Sequence, residues 1–179
     1  MHDNSLTLME TALLGLLSEG PMHPYRIEKE VRERKLRSWT DLSMSSVYKL
    51  LVKLERRGLV LRQVRKGPGN RLRKLYALSP AGERAFRSAI RDLLTRPVHP
   101  RYPVDMGLYY SGILPEEEVR DALHEYRHVL RERITEARKR QEEPSSQGSP
   151  HHRSALVLRS VYLLEAEISW INAYLGRPG

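Results

Sequence analysis

Two groups of residues in this sequence have types and spacings that could do chemistry. His124-Glu125-Tyr126-Arg127-His128 fits the pattern H-E-x-x-H. On a helix, that spacing puts two imidazoles four residues apart on one face, with a carboxylate placed to take a proton from a zinc-held water. The second group is a run of cations. Residues 49–74 hold ten Lys and Arg against one acid, Glu55, a balance of +9. Charge concentrated in this way attracts a polyanion.

The zinc reading meets three objections. The apolar positions of its helix are 123, 126, 130 and 134, so both histidines face away from the core stripe. Charged residues surround them. No third ligand follows, although a catalytic zinc needs three protein ligands and an open position. Adventitious metal binding, here or at His151-His152, is a better use of these rings, and a zinc hydrolase built on His124 and His128 stands only as an alternative. Glu116-Glu117-Glu118 is accounted for as charge at a helix N-terminus. The chain has no cysteine, which excludes disulfides, zinc thiolates, iron–sulfur ligation and a thiol nucleophile. It has neither a nucleotide-binding glycine fingerprint nor a serine-nucleophile elbow. The expectation is no catalytic residue, no resident metal, no cofactor and no reaction.

The cations survive the same scrutiny. The 179 residues carry a net charge of +9, divided as +10 over residues 1–96 and −1 over residues 97–179. The excess therefore belongs to one stretch. No apolar run approaches the roughly 18 residues of a membrane span. The start, Met1-His2-Asp3-Asn4, lacks the order of a signal peptide. A cytoplasmic protein with no membrane association is expected.

Several elements must position these cations. Thr7-Leu8-Met9-Glu10 reads as a capping box opening a first helix with Leu13, Leu14, Leu16 and Leu17 inside, ended by Gly20-Pro21. Pro24 opens a second, with Ile27, Val31 and Leu36 inward. Ser43 caps a third, with Val47, Leu50, Leu51 and Leu54 inward and Gly58 after its end. Runs 59–65 and 71–78 are β-like and flank a turn, Lys66-Gly67-Pro68-Gly69-Asn70. Ser79-Pro80 caps a fourth helix with an apolar stripe of Phe86, Ile90, Leu93 and Leu94. Three helices followed by a hairpin is the order of a winged helix-turn-helix.

The outer face of the third helix is then Ser45, Tyr48, Lys49, Val52, Lys53 and Arg56. Hydroxyls and long cations at one helical period fit a major groove. The hairpin adds Arg65, Lys66, Arg71, Arg73 and Lys74 around a glycine-rich tip. Phosphate neutralisation is expected from Lys49, Lys53, Arg56, Lys66, Arg71 and Lys74, and base discrimination from Ser45, Ser46, Tyr48 and Lys49.

Four motifs carry a resemblance. They are Leu13-Leu14-Gly15-Leu16-Leu17, then Gly20-Pro21-Met22-His23-Pro24-Tyr25, then Ser46-Val47-Tyr48-Lys49-Leu50-Leu51 with Leu54-Glu55-Arg56-Arg57-Gly58-Leu59-Val60, and last Arg73-Lys74-Leu75-Tyr76-Ala77-Leu78-Ser79-Pro80-Ala81-Gly82. In order and spacing, residues 6–90 resemble the PadR family of bacterial transcriptional regulators. The resemblance implies a homodimer that binds an operator, usually in repression, with Tyr48 at the DNA face and Tyr25 near the backbone of the duplex. Pro24 and Ser45 stand where the family commonly has glycine, so no operator sequence is carried over.

Residues 96–104, with Pro97, Pro100 and Pro103, read as a semi-rigid link. A short apolar segment (105–113) follows, then a helix from Pro115 to Gln141, a polar, disordered loop over 142–153, and a last helix over 154–175. That helix has a heptad seam, Val157, Val161, Leu164, Ile168, Ile171 and Leu175, and a second stripe, Leu156, Leu163 and Trp170. A helix apolar on two faces needs two covers. The long helix supplies one, and a second subunit is the simplest other, which places Val161, Leu164, Ile168, Trp170, Ile171 and Leu175 at a dimer interface. Trp170 with Tyr174, or Tyr109 with Tyr110, could either line a pocket for a small aromatic or hydrophobic effector or pack that interface, the commoner use of aromatics.

The expected architecture is mainly α. A winged helix-turn-helix (three helices and a two-stranded wing, residues 1–95) leads through the link at 96–104 to a helical dimerisation domain at 105–179. The expected function is sequence-specific binding of double-stranded DNA at a pseudo-palindromic operator by a homodimeric repressor of a nearby operon. A winged-helix module that contacts an acidic protein instead of DNA is the alternative.

Overall fold

The computed structural model describes residues 5–38, 40–66, 72–142 and 151–176. It divides into two compact units, Met1–His99 and Pro100–Gly179. The first contains α1 (Leu8–Ser18), α2 (Pro24–Glu33), a 3-10 turn at Leu36–Ser38, α3 (Met44–Arg56), β1 (Val60–Lys66), β2 (Leu72–Leu78) and α4 (Pro80–Thr95). This is the expected winged helix-turn-helix. The second contains α5 (Pro103–Tyr109), a 3-10 turn at Ser111–Ile113, α6 (Glu116–Glu142) and α7 (His151–Leu175).

The helix starts follow local chemistry. Thr7 accepts from the Glu10 N–H while the Glu10 carboxylate accepts from the Thr7 N–H, closing the capping box. Ser43 and Ser79 cap α3 and α4, and His23 caps α2 through Nδ1, with Pro24 at its first position. α3 ends with Gly58 at φ +68°. The Gly58 N–H donates to the Glu55 carbonyl and the Leu59 N–H to Leu54, a Schellman closure that turns the chain directly into β1.

β1 and β2 pair antiparallel, Val60 opposite Leu78 and Val64 opposite Lys74. Met22 adds a short bridge, exchanging two 2.9 Å backbone hydrogen bonds with Tyr76. The core of this unit is Leu13, Leu14, Leu17, Ile27, Val47, Leu51 and Leu54, all fully or almost fully buried. Each such side chain contributes about 1.5–3 kcal/mol by leaving water. Gly82 sits against Leu59, the residue before β1: a Cβ there would lie 2.0 Å from its carbonyl oxygen.

Four sequence expectations change. The apolar stripe of α4 reaches the core only at Phe86, while Ile90, Leu93 and Leu94 are exposed, because this helix packs along its first turns and then outruns the surface of α1. The link is shorter than 96–104, since Pro103 takes the first position of α5. The polar loop does not reach 153: Glu142 still belongs to α6, and α7 begins at His151, where His-His-Arg contains no helix breaker. The disorder expected over 143–150 lies outside the described residues. The dimer interface is the fourth. Leu164, Ile168, Ile171 and Leu175 pack within the chain in one cluster with Leu123 and Leu130 of α6, and Val161 is buried. Of the six residues expected at the interface, only Trp170 is on the exposed stripe, with Leu156 and Leu163.

Polar ties fasten the α6–α7 pair. The Tyr126 hydroxyl donates to Glu167 Oε1 at 2.6 Å, Arg138 pairs with Glu165 at 2.7 Å, and Arg120 donates to the Leu175 carbonyl at 2.9 Å. No described helix is long and apolar enough to cross a membrane.

Candidate nucleic-acid interface

The inner residues of α3 hold it against α1, α2 and β1, which leaves its opposite face open. Ser45, Tyr48, Lys49, Val52, Lys53 and Arg56 are all exposed, as their spacing predicts, and the Tyr48 side chain is 47% exposed. Tyr25, at the start of α2, is also exposed. On the wing, Lys74 is exposed. The Lys66 side chain and the whole of Arg71, both expected to meet phosphate, lie outside the described residues, as does the turn at 67–71.

The cations of this face are not equivalent. The Lys53 ammonium lies 2.9 Å from Glu10 Oε1, and the Arg57 guanidinium 3.2 Å from the same oxygen. Glu10 has no exposed surface. Burial alone would push its carboxyl up, but the Thr7 N–H and the two cations outweigh this and hold it below its usual value. On the wing, Arg62 lies 3.2 Å from Glu55, the lone acid of the basic stretch. The Tyr76 phenol beneath is pushed up by burial first and by the Glu55 charge second. Among the described cations of 49–74, Lys53 and Arg57 thus share the single charge of Glu10, Arg62 pairs with Glu55, and Lys49, Arg56 and Lys74 have no ion pair.

Ser46 differs from the expectation too. Its hydroxyl accepts from the Ser43 N–H at 2.6 Å and lies 2.8 Å from the Ser43 carbonyl, to which it donates. Its hydrogen-bonding capacity is therefore spent on the cap. Ser45 and Tyr48 are exposed at the start of the face, with Ser45 Oγ 3.0 Å from Ser43 Oγ. The Glu10 tie was not visible in the sequence, because its partners are 43 and 47 residues away and the capping box already accounted for the carboxylate.

The profile of the "Transcriptional regulator PadR-like family" matches residues 13–88. Residues 13–88 of this chain are similar to the domain of that family. The matched span of that domain runs from the middle of α1 to the middle of α4, and so contains the whole α3 face and the hairpin. Solved structures share the fold of this chain over nearly its full length. Bacillus subtilis PadR in complex with operator DNA is 22% identical with a TM-score of 0.71, covering 94% of this chain and 98% of that one. The same protein in complex with p-coumaric acid is 20% identical with a TM-score of 0.72, covering 94% and 97%. A PadR-like transcriptional regulator from Bacillus cereus is 18% identical with a TM-score of 0.61, covering 93% and 95%. No curated protein matches the sequence.

His124 and His128 are exposed and engaged with neighbours on their own helix. His124 Nδ1 lies 2.7 Å from Arg127, and His128 Nε2 lies 3.5 Å from Glu132. No group of three or more metal-ligating side chains comes together among the described residues.

Proposed function

We propose that this PadR-like regulator is a homodimeric, sequence-specific DNA-binding repressor that acts in the cytoplasm and catalyses no reaction. The observation that carries the reading is the exposed α3 face, with Tyr48, the unpaired Lys49 and, two turns on, the unpaired Arg56 along a helix whose other side is core. In this reading α3 enters the major groove, Ser45, Tyr48 and Lys49 meet base edges, and Lys49, Arg56 and Lys74 neutralise phosphates, joined by Lys66 and Arg71. Tyr25 sits near the DNA backbone. The operator-bound Bacillus subtilis relative supports the assignment through its shared fold.

The unit at 1–99 is the DNA-binding half, and the unit at 100–179 pairs two copies. The uncovered stripe of α7, Leu156, Leu163 and Trp170, supports pairing because the opposite face of that helix is already filled by α6. Two-fold symmetry calls for a pseudo-palindromic operator with half-sites about 34 Å apart. A small effector that relieves repression completes the reading, supported by the p-coumaric acid complex of the Bacillus subtilis relative. Selecting bound sequences from random DNA with the full chain tests it. A palindromic consensus with two equal half-sites is expected, and recovery of no enriched sequence would overturn it.

A further inference from the structure

Glu10 of α1 has no exposed surface, yet it meets a cation of the exposed α3 face. Its two oxygens divide the work. Oε2 accepts from the Thr7 N–H at 2.9 Å and closes the cap of α1. Oε1 lies 2.9 Å from the ammonium of Lys53 and 3.2 Å from the guanidinium of Arg57, the C-cap of α3. We propose that Glu10 is a specificity-determining positioning residue: it draws Lys53 inward and lowers the charge of the α3 face, which restrains sequence-independent binding and leaves base contacts to decide affinity. This role rests on the proposed DNA-binding function and deepens it.

The spacing of the cations shows what Glu10 prevents. Lys49, Lys53 and Arg56 follow one another at four and three residues, so they share one stripe of the helix. With Lys53 free they would form an unbroken row of cations. Such a row holds any duplex, because phosphate contacts carry no sequence information. Glu10 takes out the middle member and leaves Lys49 and Arg56 without an ion pair at either end.

Burial makes the hold firm. Lys53 is half exposed, but the carboxylate is cut off from water. If Lys53 left for a phosphate, the buried charge would lose a partner that water cannot replace. Helix capping does not explain the charge. An acceptor at the third position of α1 serves the Thr7 cap whether it belongs to Glu or Gln. Only the two cations of α3 make use of a negative oxygen.

Glu10→Gln in the full chain tests the proposal, since it keeps the cap acceptor and removes the charge. Anisotropy titrations of a selected operator and of random DNA, at several salt concentrations and far below the melting temperature, give the readout. Random DNA is expected to bind about threefold tighter at low salt, with the plot of log K against log[salt] steeper by about one unit. On the operator, base contacts fix where α3 lies, so the gain is smaller and the operator-to-random ratio falls. Glu10→Asp keeps the charge and is expected to keep the parent slope. Adding Lys53→Gln to Glu10→Gln is expected to abolish the extra slope. A merely structural tie would weaken both DNAs together at an unchanged slope, and that result would overturn the proposal. NMR of the lysine ammonium groups in the parent decides the matter without any change at Glu10. The Lys53 signal is expected to stay in place on random DNA while that of Lys49 moves, and equal movement would overturn the proposal. A parent that binds no DNA overturns the DNA-binding reading together with this role. A parent that selects an operator, with the same operator-to-random ratio in Glu10→Gln, overturns this role alone.

Discussion

Lys53 on the exposed face of α3 is held 2.9 Å from Glu10, a fully buried carboxylate of α1. A cation already matched inside the protein adds little net charge toward phosphate. Lys49→Ala and Arg56→Ala should therefore each flatten the plot of log K against log[salt] by about one unit, and Lys53→Ala by clearly less. Titrations at four or more salt concentrations read the difference. Equal slope changes for all three would mean that Lys53 leaves Glu10 when DNA binds.

The same carboxylate gives the first unit a pH dependence of known sign. Its folded value is depressed, so its contribution is complete above the usual 4.5 and is lost as pH falls through the folded value. Glu10→Gln removes the charge that Lys53 and Arg57 share, and should cost about 1–3 kcal/mol at neutral pH. The variant should also lose less stability than the parent on acidification. Urea melts across the acid range check this, and parallel curves for the two proteins would exclude Glu10 as the titrating group.

Gly82 meets the Leu59 backbone, just before β1, more closely than any side chain permits. With a Cβ placed 2.0 Å from the Leu59 carbonyl, Gly82→Ala must push α4 away from the start of the wing. The expected loss is about 1–3 kcal/mol, the usual range for overpacking. Thermal melting of the variant measures it, and an unchanged midpoint would show that α4 shifts freely.

What could be read from the residues alone was local. Thr7, Ser43 and Ser79 announce helix starts, and Gly58 a helix end, because a cap is satisfied within a few residues of itself. The inner face of α3 follows from period alone, and so does the outer one. The Glu10–Lys53 pair could not be found this way, since it depends on how α1 crosses α3. Nor could the fate of the α7 seam: period shows that two faces are apolar, not which one α6 takes. Ser46 illustrates a third kind of miss. Its position fits base contact, but a hydroxyl at the third position of a helix can fold back on the cap, and here it does.

That difference between neighbouring hydroxyls is testable. Tyr48→Ala should reduce binding to a selected operator by about 1–2 kcal/mol and binding to random DNA far less, as expected for a base-edge contact. Ser46→Ala should act through the cap instead, lowering the melting temperature and weakening both kinds of DNA alike. Gel shifts on both DNAs with parallel melting curves separate the cases. A Tyr48→Ala loss that is equal on operator and random DNA would falsify groove reading by this face.

In the proposed dimer, pairing of two copies falls to the stripe that α6 leaves uncovered. Leu163 and Trp170 are seven residues apart on the exposed side of α7, while Ile168 lies in the seam with α6. Leu163→Glu with Trp170→Glu places charge on a surface that each chain can expose without unfolding. The double variant should sediment as a monomer with its helical circular dichroism intact. Ile168→Glu puts a carboxylate between two helices of one chain, where an unpaired charge is costly. It should lower helical content and melting temperature whatever the state of association. Sedimentation and circular dichroism on both variants distinguish a subunit contact from an internal one. A Leu163→Glu, Trp170→Glu protein that remains dimeric would move the interface away from α7, and the exposed end of α4, Ile90, Leu93 and Leu94, would be the next surface to charge.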